Sequence, residues 1–166
     1  VEQLNLSEEN YFNVLRGKTG SLISAACEVG TFFTDSSEEQ QLALRTYGDA
    51  LGLAFQVVDD LLDYQGDQKQ TGKAIGNDFI EGKLTLPLIH ALENSSQEDK
   101  QIIMSLLQGS SDKRAAHIDQ AHDFIETNDG FNYAKQGAET LVMAATEALS
   151  VFSDCQARRI MEGLAN

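Results

Sequence analysis

Residues 52–64 read G-L-A-F-Q-V-V-D-D-L-L-D-Y, and this stretch decides how the rest of the chain is interpreted. At the 100° per residue of an α-helix, Gln56, Asp59, Asp60 and Asp63 fall within one arc of about 100°. The rest of the circumference is apolar, which predicts a helix that is buried in a helical bundle. The apolar residues are Leu51, Ala54, Phe55, Val57, Val58, Leu61 and Leu62.

The three aspartates of this stretch need a counter-charge if the helix is buried. Like charges within one helical turn are costly there, and at least one carboxyl would otherwise stay protonated. Carboxylate oxygens, completed by water and phosphate oxygens, suit Mg²⁺, so we predict that Asp59, Asp60 and Asp63 bind magnesium. A solvated helix face is the less favoured alternative, because the stripe is narrow and contains no Lys, Arg or Glu. Gly48 and Gly52 precede the aspartates on the same side, which leaves room for a ligand or, equally, for close helix packing.

Helical periodicity extends in both directions from this stretch. The chain of 166 residues has a single Pro, no alternating strand pattern of useful length, and abundant helix formers. It predicts an all-α helical bundle in one domain of residues 1–166, with a glycine-rich loop at about residues 65–78. The S-x-x-E pattern of Ser36–Glu39 predicts a capping box before the long helix. Predicted helices cover about residues 8–29, 36–64, 85–93, 97–108, 112–127, 131–152 and 156–164.

The composition restricts the class of protein. A net charge of −14 excludes the basic surface of a nucleic-acid-binding protein and disfavours adsorption to anionic membranes. Cys27 and Cys155 lack the short-spaced partners of a zinc site, and we predict that both are reduced core residues. Without an apolar run of membrane-spanning length or a signal-peptide pattern, we expect a cytoplasmic protein. The first residue is Val1 rather than Met, which fits an internal fragment.

Three lysines are candidates for binding a phosphate ligand. Lys18 lies on the apolar stripe of the first predicted helix between Leu15 and Leu22, where a buried ammonium group needs an anion. Reaching solvent or pairing with a structural carboxylate is an equally weighted alternative for this side chain. Lys73 and Lys83 each follow a glycine downstream of the aspartates, and flexible backbone with ammonium groups suits phosphate binding.

Three segments of the sequence, taken in order, resemble the trans-isoprenyl (polyprenyl) diphosphate synthases. The segments are Y-F-N-V-L-R-G-K-T-G-S-L-I, G-L-A-F-Q-V-V-D-D-L-L-D-Y and T-G-K-A-I-G-N-D-F-I-E-G-K-L-T-L-P-L-I, and they cover about residues 10–93. The resemblance is to the carboxyl-terminal half of the family and implies that the helical bundle is part of the isoprenoid synthase fold.

The resemblance also assigns roles to individual residues. It implies that Asp59, Asp60 and Asp63 are the second aspartate-rich motif of the family, which coordinates Mg²⁺ bound to the allylic diphosphate. The remaining residues are implied to contact substrate or the developing allylic cation. Lys18 and Lys73 match diphosphate-contacting lysines, Lys83 matches a further lysine near that site, Thr19 and Gln56 match residues beside the cation, and Phe55 matches the aromatic residue next to isopentenyl diphosphate.

The implied reaction is head-to-tail prenyl transfer with Mg²⁺ as the cofactor. An allylic diphosphate ionises, the double bond of isopentenyl diphosphate attacks the cation, and a proton is lost. The family has a first aspartate-rich motif further upstream, whereas the only D-D-x-x-D here is at Asp59. We therefore expect this chain to supply the second diphosphate-binding jaw and to need the amino-terminal half or a homodimer mate for activity.

Two other functions fit parts of the sequence. One is a non-catalytic helical subunit, or a truncated fragment, that only binds a partner. The other is a terpene cyclase, which is less favoured because G-K-x-x-G-x-D and E-G-K-x-T-L-P-L, both present here, are typical of the chain-elongating branch.

Overall fold

The computed structural model describes residues 7–66 and 75–165. Within these ranges the chain is helical and has no β-strand, which confirms the all-α prediction. The first helical region consists of α1 (Glu8–Leu15), a π-helical turn (Arg16–Gly20), α2 (Ser21–Glu28) and a 3₁₀ turn (Val29–Phe33). After it come α3 (Glu38–Gln65), α4 (Asn77–Glu81), α5 (Leu86–Asn94), α6 (Gln97–Leu107), α7 (Ser111–Ala115), α8 (Ile118–Thr127), α9 (Gly130–Ala148), a 3₁₀ turn (Leu149–Val151) and α10 (Gln156–Ala165).

The π turn introduces a five-residue step that the sequence pattern did not predict. Buried positions follow one another as Leu15, Gly20 and Ser24, because a π turn holds one more residue than an α-helical turn. Residues that regular helical spacing would place on the buried apolar face are therefore rotated away from it. Lys18 is exposed and Leu22 is 73% exposed, so the prediction that Lys18 lies on a buried apolar stripe is wrong.

The long helix α3 begins at a capping box one residue later than predicted. The hydroxyl oxygen of Ser37 accepts the N–H of Gln40 at 3.2 Å, and the N–H of Ser37 donates to Gln40 Oε1 at 3.0 Å. Both bonds satisfy donors at the start of the helix that would otherwise lack partners. The helix then continues for 28 residues to Gln65, close to the predicted end.

Only part of the surface of α3 is buried, so the prediction of burial on nearly all sides is wrong. Leu53 and Val57 are 1% and 0% exposed, whereas Phe55, Val58 and Leu62 are 62%, 42% and 53% exposed. The reason is geometric, since the first two residues point away from the other three on a helical wheel. An apolar strip of this helix therefore faces outward in the described chain.

Two segments depart from the predicted helix boundaries. Residues 77–81, which fall outside every predicted helix, form α4, which is flanked by Gly76 and Gly82 with φ of 74° and 79°. The predicted helix at residues 112–127 is interrupted at His117, whose φ of −125° and ψ of 24° are not helical. The interruption separates α7 from α8.

Arg114 explains why α7 is a separate short helix. Its guanidinium group donates to the backbone oxygens of Ile80, Leu107 and Gly109 at 2.7, 3.1 and 2.6 Å. Carbonyl groups at helix ends lack partners within the helix, and a charged donor satisfies them well. Arg114 therefore joins α7 to the ends of α4 and α6.

The chain divides into two compact units. The first contains residues 7–11 and Val57–Lys135, and the second contains Phe12–Gln56 and residues 136–165. The single-domain organisation stays a prediction. The core of the first unit consists of Tyr64, Phe79, Leu88, Ala91, Leu92, Ile103, Leu106, Leu107, Ala121, Phe124, Ile125 and Phe131. The core of the second is centred on Tyr47, Ala50, Ala145 and Leu149.

Close helix packing in the second unit explains the two glycines of α3. A Cβ atom added to Gly48 would lie 2.6 Å from Ser24 Cα, and one added to Gly52 would lie 3.0 Å from Gly20 Cα. Larger residues would push α2 and the π turn away from α3. Of the two interpretations of these glycines, the structure supports helix packing.

None of the helices in the described ranges combines the length and the apolar character that crossing a membrane would require. Both cysteines are free, as predicted. Cys27 is half-buried, but Cys155 is exposed just before α10, so its predicted core position is wrong.

Candidate functional site

The carboxylate of Asp60 is oriented by a tyrosine from α1. The hydroxyl of Tyr11 donates to Asp60 Oδ2 over 2.7 Å, and Tyr11 itself is only 7% exposed. Burial, followed by the charge of Asp60, raises the pKa of Tyr11 well above its usual range, so the hydroxyl stays protonated and remains a donor. Sequence reasoning missed this contact, although Tyr11 opens the first motif segment.

The carboxylate of Asp63 is held by main-chain groups. Its Oδ2 accepts the N–H of Asp78 at 2.9 Å, and its backbone oxygen accepts the N–H of Gly76 at 2.7 Å. Burial raises the pKa of the Asp63 carboxyl, while the hydrogen bond from the Asp78 N–H acts in the opposite direction. The start of α4 is thereby attached to the end of α3.

Glycine is required at position 76 for this attachment. Gly76 has a φ of 74°, and an added Cβ atom would lie 2.1 Å from Ile118 Cδ1. Both the left-handed backbone and the absence of space exclude larger residues. Gly76 therefore allows the chain to turn back towards Asp63.

Lys83 lies next to the same acidic cluster. Its Nζ is 2.7 Å from Asp78 Oδ1 and 2.8 Å from Glu81 Oε2, and about half of its side chain is exposed. The hydrogen bonds to these two carboxylates raise the pKa of the Lys83 ammonium group. Asp78, which the sequence analysis did not assign, thus links Lys83 to Asp63. Lys73 lies outside the described residues.

In the second unit, the structure brings together Thr19 and Gln56. The hydroxyl of Thr19 donates to Gln56 Oε1 at 3.2 Å, and Gln56 is 7% exposed. Thr19 owes its position to the π turn, a feature found frequently at functional sites. Lys18, in the same turn, is exposed, and Phe55 on α3 is 62% exposed.

The aspartates supply the oxygen ligands that a hard cation prefers, although the described residues do not form a complete metal site. In the described ranges, no three His, Cys, Asp or Glu side chains are grouped closely enough to form a complete metal site. Asp59 is exposed, and Asp60 and Asp63 are each partly exposed, so carboxylate oxygens of this stretch are accessible from solvent. Such a donor set fits Mg²⁺, which keeps several waters and is usually held by one or two carboxylates with substrate phosphates.

Comparisons with known proteins give consistent matches. The family described as Polyprenyl synthetase matches residues 1–125. A short chain isoprenyl diphosphate synthase of Methanothermobacter thermautotrophicus is 36% identical over 99% of this chain and 50% of its own length. An octaprenyl diphosphate synthase of Escherichia coli is 34% identical over 100% of this chain and 51% of its own length. The chain spans about half the length of these curated relatives.

Solved structures agree in fold. A geranylgeranyl pyrophosphate synthetase from Pyrococcus horikoshii superimposes with a TM-score of 0.86 at 34% identity, over 95% of this chain and 47% of its own. A polyprenyl synthase from Caulobacter crescentus, complexed with calcium and isoprenyl diphosphate, gives 0.82 at 33% identity, over 98% and 49%.

Proposed function

This chain belongs to the polyprenyl synthetase family and has its isoprenoid synthase fold, and on that basis we propose that it takes part in head-to-tail prenyl transfer. The substrates are an allylic diphosphate and isopentenyl diphosphate. The C–O bond of the allylic diphosphate breaks with its electron pair leaving on diphosphate, the isopentenyl double bond forms the new C–C bond, and a proton departs. The product is a longer polyprenyl diphosphate.

The observation that carries the proposal is the arrangement around Asp59, Asp60 and Asp63. Two of these carboxylates are oriented by hydrogen bonds from elsewhere in the first unit, and the third is exposed. We assign all three to the binding of Mg²⁺ with the allylic diphosphate. When bound, Mg²⁺ would neutralise the charge that develops on the departing diphosphate. The calcium and isoprenyl diphosphate in the Caulobacter crescentus relative support this assignment.

Three lysines are assigned to diphosphate binding by the family resemblance. Lys18 is exposed, and its ammonium group is accessible to a diphosphate oxygen. Lys83 carries two carboxylate contacts, and we propose that a diphosphate oxygen joins or replaces one of them during binding. Lys73 is assigned to the same role by resemblance alone. An ammonium group beside the departing diphosphate would stabilise the negative charge that develops there.

The Thr19–Gln56 pair and Phe55 are assigned to the prenyl chain. The oxygens of Thr19 and Gln56 are suited to stabilise the developing allylic cation, because their lone pairs are oriented by the bond between them. The exposed ring of Phe55 is proposed to contact isopentenyl diphosphate.

The proposal keeps this chain as the second diphosphate-binding jaw and requires a first one from elsewhere. The sequence has one D-D-x-x-D, and Phe55, Val58 and Leu62 leave an apolar strip of α3 exposed. We propose that activity requires either the amino-terminal half that the family resemblance implies or a homodimer mate. A cytoplasmic location, where both free cysteines would stay reduced, belongs to the same proposal.

Binding of Mg²⁺ and inorganic pyrophosphate tests the proposed site. Calorimetry should detect Mg²⁺-dependent pyrophosphate binding by the wild-type chain and its loss in Asp60→Asn. Asp119→Asn, which removes the same charge from an exposed position on α8, should bind like wild type. Equal binding by both variants would refute the assignment.

An activity assay separates the catalytic function from the non-catalytic alternative. Incubation with labelled isopentenyl diphosphate, an allylic diphosphate and Mg²⁺ should give product only when the complementary half is added. Robust turnover by the 166-residue chain alone would refute the need for a complementary first jaw. If Asp60→Asn leaves the activity of the reconstituted complex unchanged, the chain is a partner-binding subunit instead.

A further inference from the structure

We infer that Tyr11 is a positioning residue for the proposed metal site, whose hydroxyl holds the Asp60 carboxylate in the orientation that Mg²⁺ with a bound diphosphate requires. The inference rests on the proposed function, because it takes Asp60 to be a ligand. Tyr11 does not itself touch substrate or metal in this arrangement. It acts through the carboxylate.

The contact between Tyr11 and Asp60 joins two different helices, α1 and α3. Tyr11 and Asp60 are separated by 49 residues in sequence, yet their oxygens are 2.7 Å apart, a distance typical of a hydroxyl donating to a carboxylate. Tyr11 is 7% exposed, so its ring is fixed by packing in the first unit. A buried donor of this kind restricts the rotation of the carboxylate it contacts.

The three aspartates differ in what orients their carboxylates. Asp63 is oriented by the main-chain N–H of Asp78, which only a substitution by proline at that position would remove. Asp59 is exposed. Asp60 is the aspartate oriented by another residue's side chain, and the tyrosine that provides it can be changed without altering the aspartate itself.

Mg²⁺ and Ca²⁺ differ in the coordination geometry that they require. Mg²⁺ requires nearly ideal octahedral geometry, whereas Ca²⁺ accepts a wider range of ligand numbers and angles. Groups that orient metal ligands by hydrogen bonds typically contribute about 10–100-fold to metal affinity. Releasing the Asp60 carboxylate should therefore weaken Mg²⁺ binding more than Ca²⁺ binding.

Tyr133 provides a matched control in the same unit. Its hydroxyl donates to Glu8 Oε2 over 2.7 Å, so Tyr133→Phe removes the same kind of bond, from a hydroxyl to a carboxylate, at the same distance. Glu8 and Tyr11 both lie on α1. The control therefore also reports whether loosening of α1 alone is sufficient to affect the site.

The experiment measures Mg²⁺ and Ca²⁺ affinity by calorimetry, with inorganic pyrophosphate present, for wild type, Tyr11→Phe, Tyr133→Phe and Asp60→Asn. Thermal unfolding of each variant is recorded in parallel. We expect Tyr11→Phe to lower Mg²⁺ affinity by about tenfold and Ca²⁺ affinity by clearly less. Tyr133→Phe should leave both affinities and their ratio unchanged.

Each other outcome overturns the inference in an identifiable way. Wild-type Mg²⁺ affinity in Tyr11→Phe, with loss in Asp60→Asn, refutes the positioning role but keeps the proposed function. Wild-type affinity in Asp60→Asn refutes the proposed function and the inference with it. Equal losses in the two tyrosine variants, or a loss without a change in the Mg²⁺ to Ca²⁺ ratio, assign the effect to general loosening of the fold.

Discussion

At the scale of single residues, Asp63 and Lys83 differ in what orients their charges. Asp63 accepts one hydrogen bond through its side chain and one through its backbone oxygen. The donors are the main-chain N–H groups of Asp78 and Gly76, at the start of α4. The Lys83 ammonium group is oriented by the side-chain carboxylates of Asp78 and Glu81, and about half of its side chain is exposed. Asp63 is therefore oriented by main-chain groups, whereas Lys83 is oriented by side chains.

Tyr133 allows a prediction about pH. The hydrogen bond to Glu8, followed by burial, raises the pKa of Tyr133 to about 12. An unfolded tyrosine titrates near pH 10, so the stabilisation is complete below that pH and is lost as the pH rises to about 12. The free energy of unfolding of wild type, relative to Tyr133→Phe, should fall across this interval. Urea denaturation at successive pH values measures the difference, and parallel curves from pH 10 to 12 would contradict the prediction.

The residues of the candidate site were predictable to different degrees. Asp59, Asp60 and Asp63 stand out in the sequence because they are neighbours on one helix. The roles of Tyr11 and Asp78 could not be predicted, since their contacts span 49 and 15 residues and depend on how separate helices pack. The assigned roles of the lysines, Thr19, Gln56 and Phe55 stay proposals.

At the scale of helices, Arg114 allows a prediction about stability. Arg114→Met keeps the aliphatic stem but removes three hydrogen bonds to backbone oxygens at the ends of α4 and α6. We expect a loss of about 2–4 kcal/mol in the free energy of unfolding, because partly buried carbonyl groups lose a charged donor. The amides of Asp78 and Lys83 should also exchange faster with solvent.

The neighbouring Lys113 supplies the control for this prediction. Lys113 is exposed on the same short helix, so Lys113→Met should change stability by less than about 0.5 kcal/mol. Urea denaturation and hydrogen exchange measure both variants. Equal stability of the two would show that the guanidinium contacts contribute little.

The helix boundaries show where sequence patterns are sufficient. The long helix α3 was predicted almost to the residue because strong helix formers and a polar stripe coincide there. The π turn was not predicted, because a search for regular helical spacing assumes that no residue is inserted. The break at His117 was also not predicted, and the neighbouring Arg114 makes tertiary contacts that no local sequence pattern shows.

At the scale of the whole molecule, the net charge of −14 makes stability depend on ions. Self-repulsion is screened by salt, so the melting temperature should rise with NaCl concentration. At matched ionic strength, 10 mM MgCl₂ should raise the melting temperature further by about 3–6 °C, if the dissociation constant for Mg²⁺ is about 1 mM. Scanning calorimetry of wild type, Asp60→Asn and Asp119→Asn checks the site. The prediction fails if Asp60→Asn keeps the additional increase.

The fold class and the family were accessible from the sequence at this scale. Helical periodicity and the ordered motif segments were sufficient, and both predictions are confirmed. The exposed face of α3 was not predictable, since periodicity shows which residues are apolar but not which of them another segment covers.

The π turn at Arg16–Gly20 has a consequence for how this helix tolerates insertions and deletions. Leu15 and Gly20 are both buried although five positions separate them, so removing one residue between them would restore a regular α-helix and keep both buried. The turn thus behaves like a one-residue insertion that the core absorbs. In evolutionary terms its reversal would be mild for folding, and the change would fall on Lys18 and Thr19, whose placement depends on the additional residue.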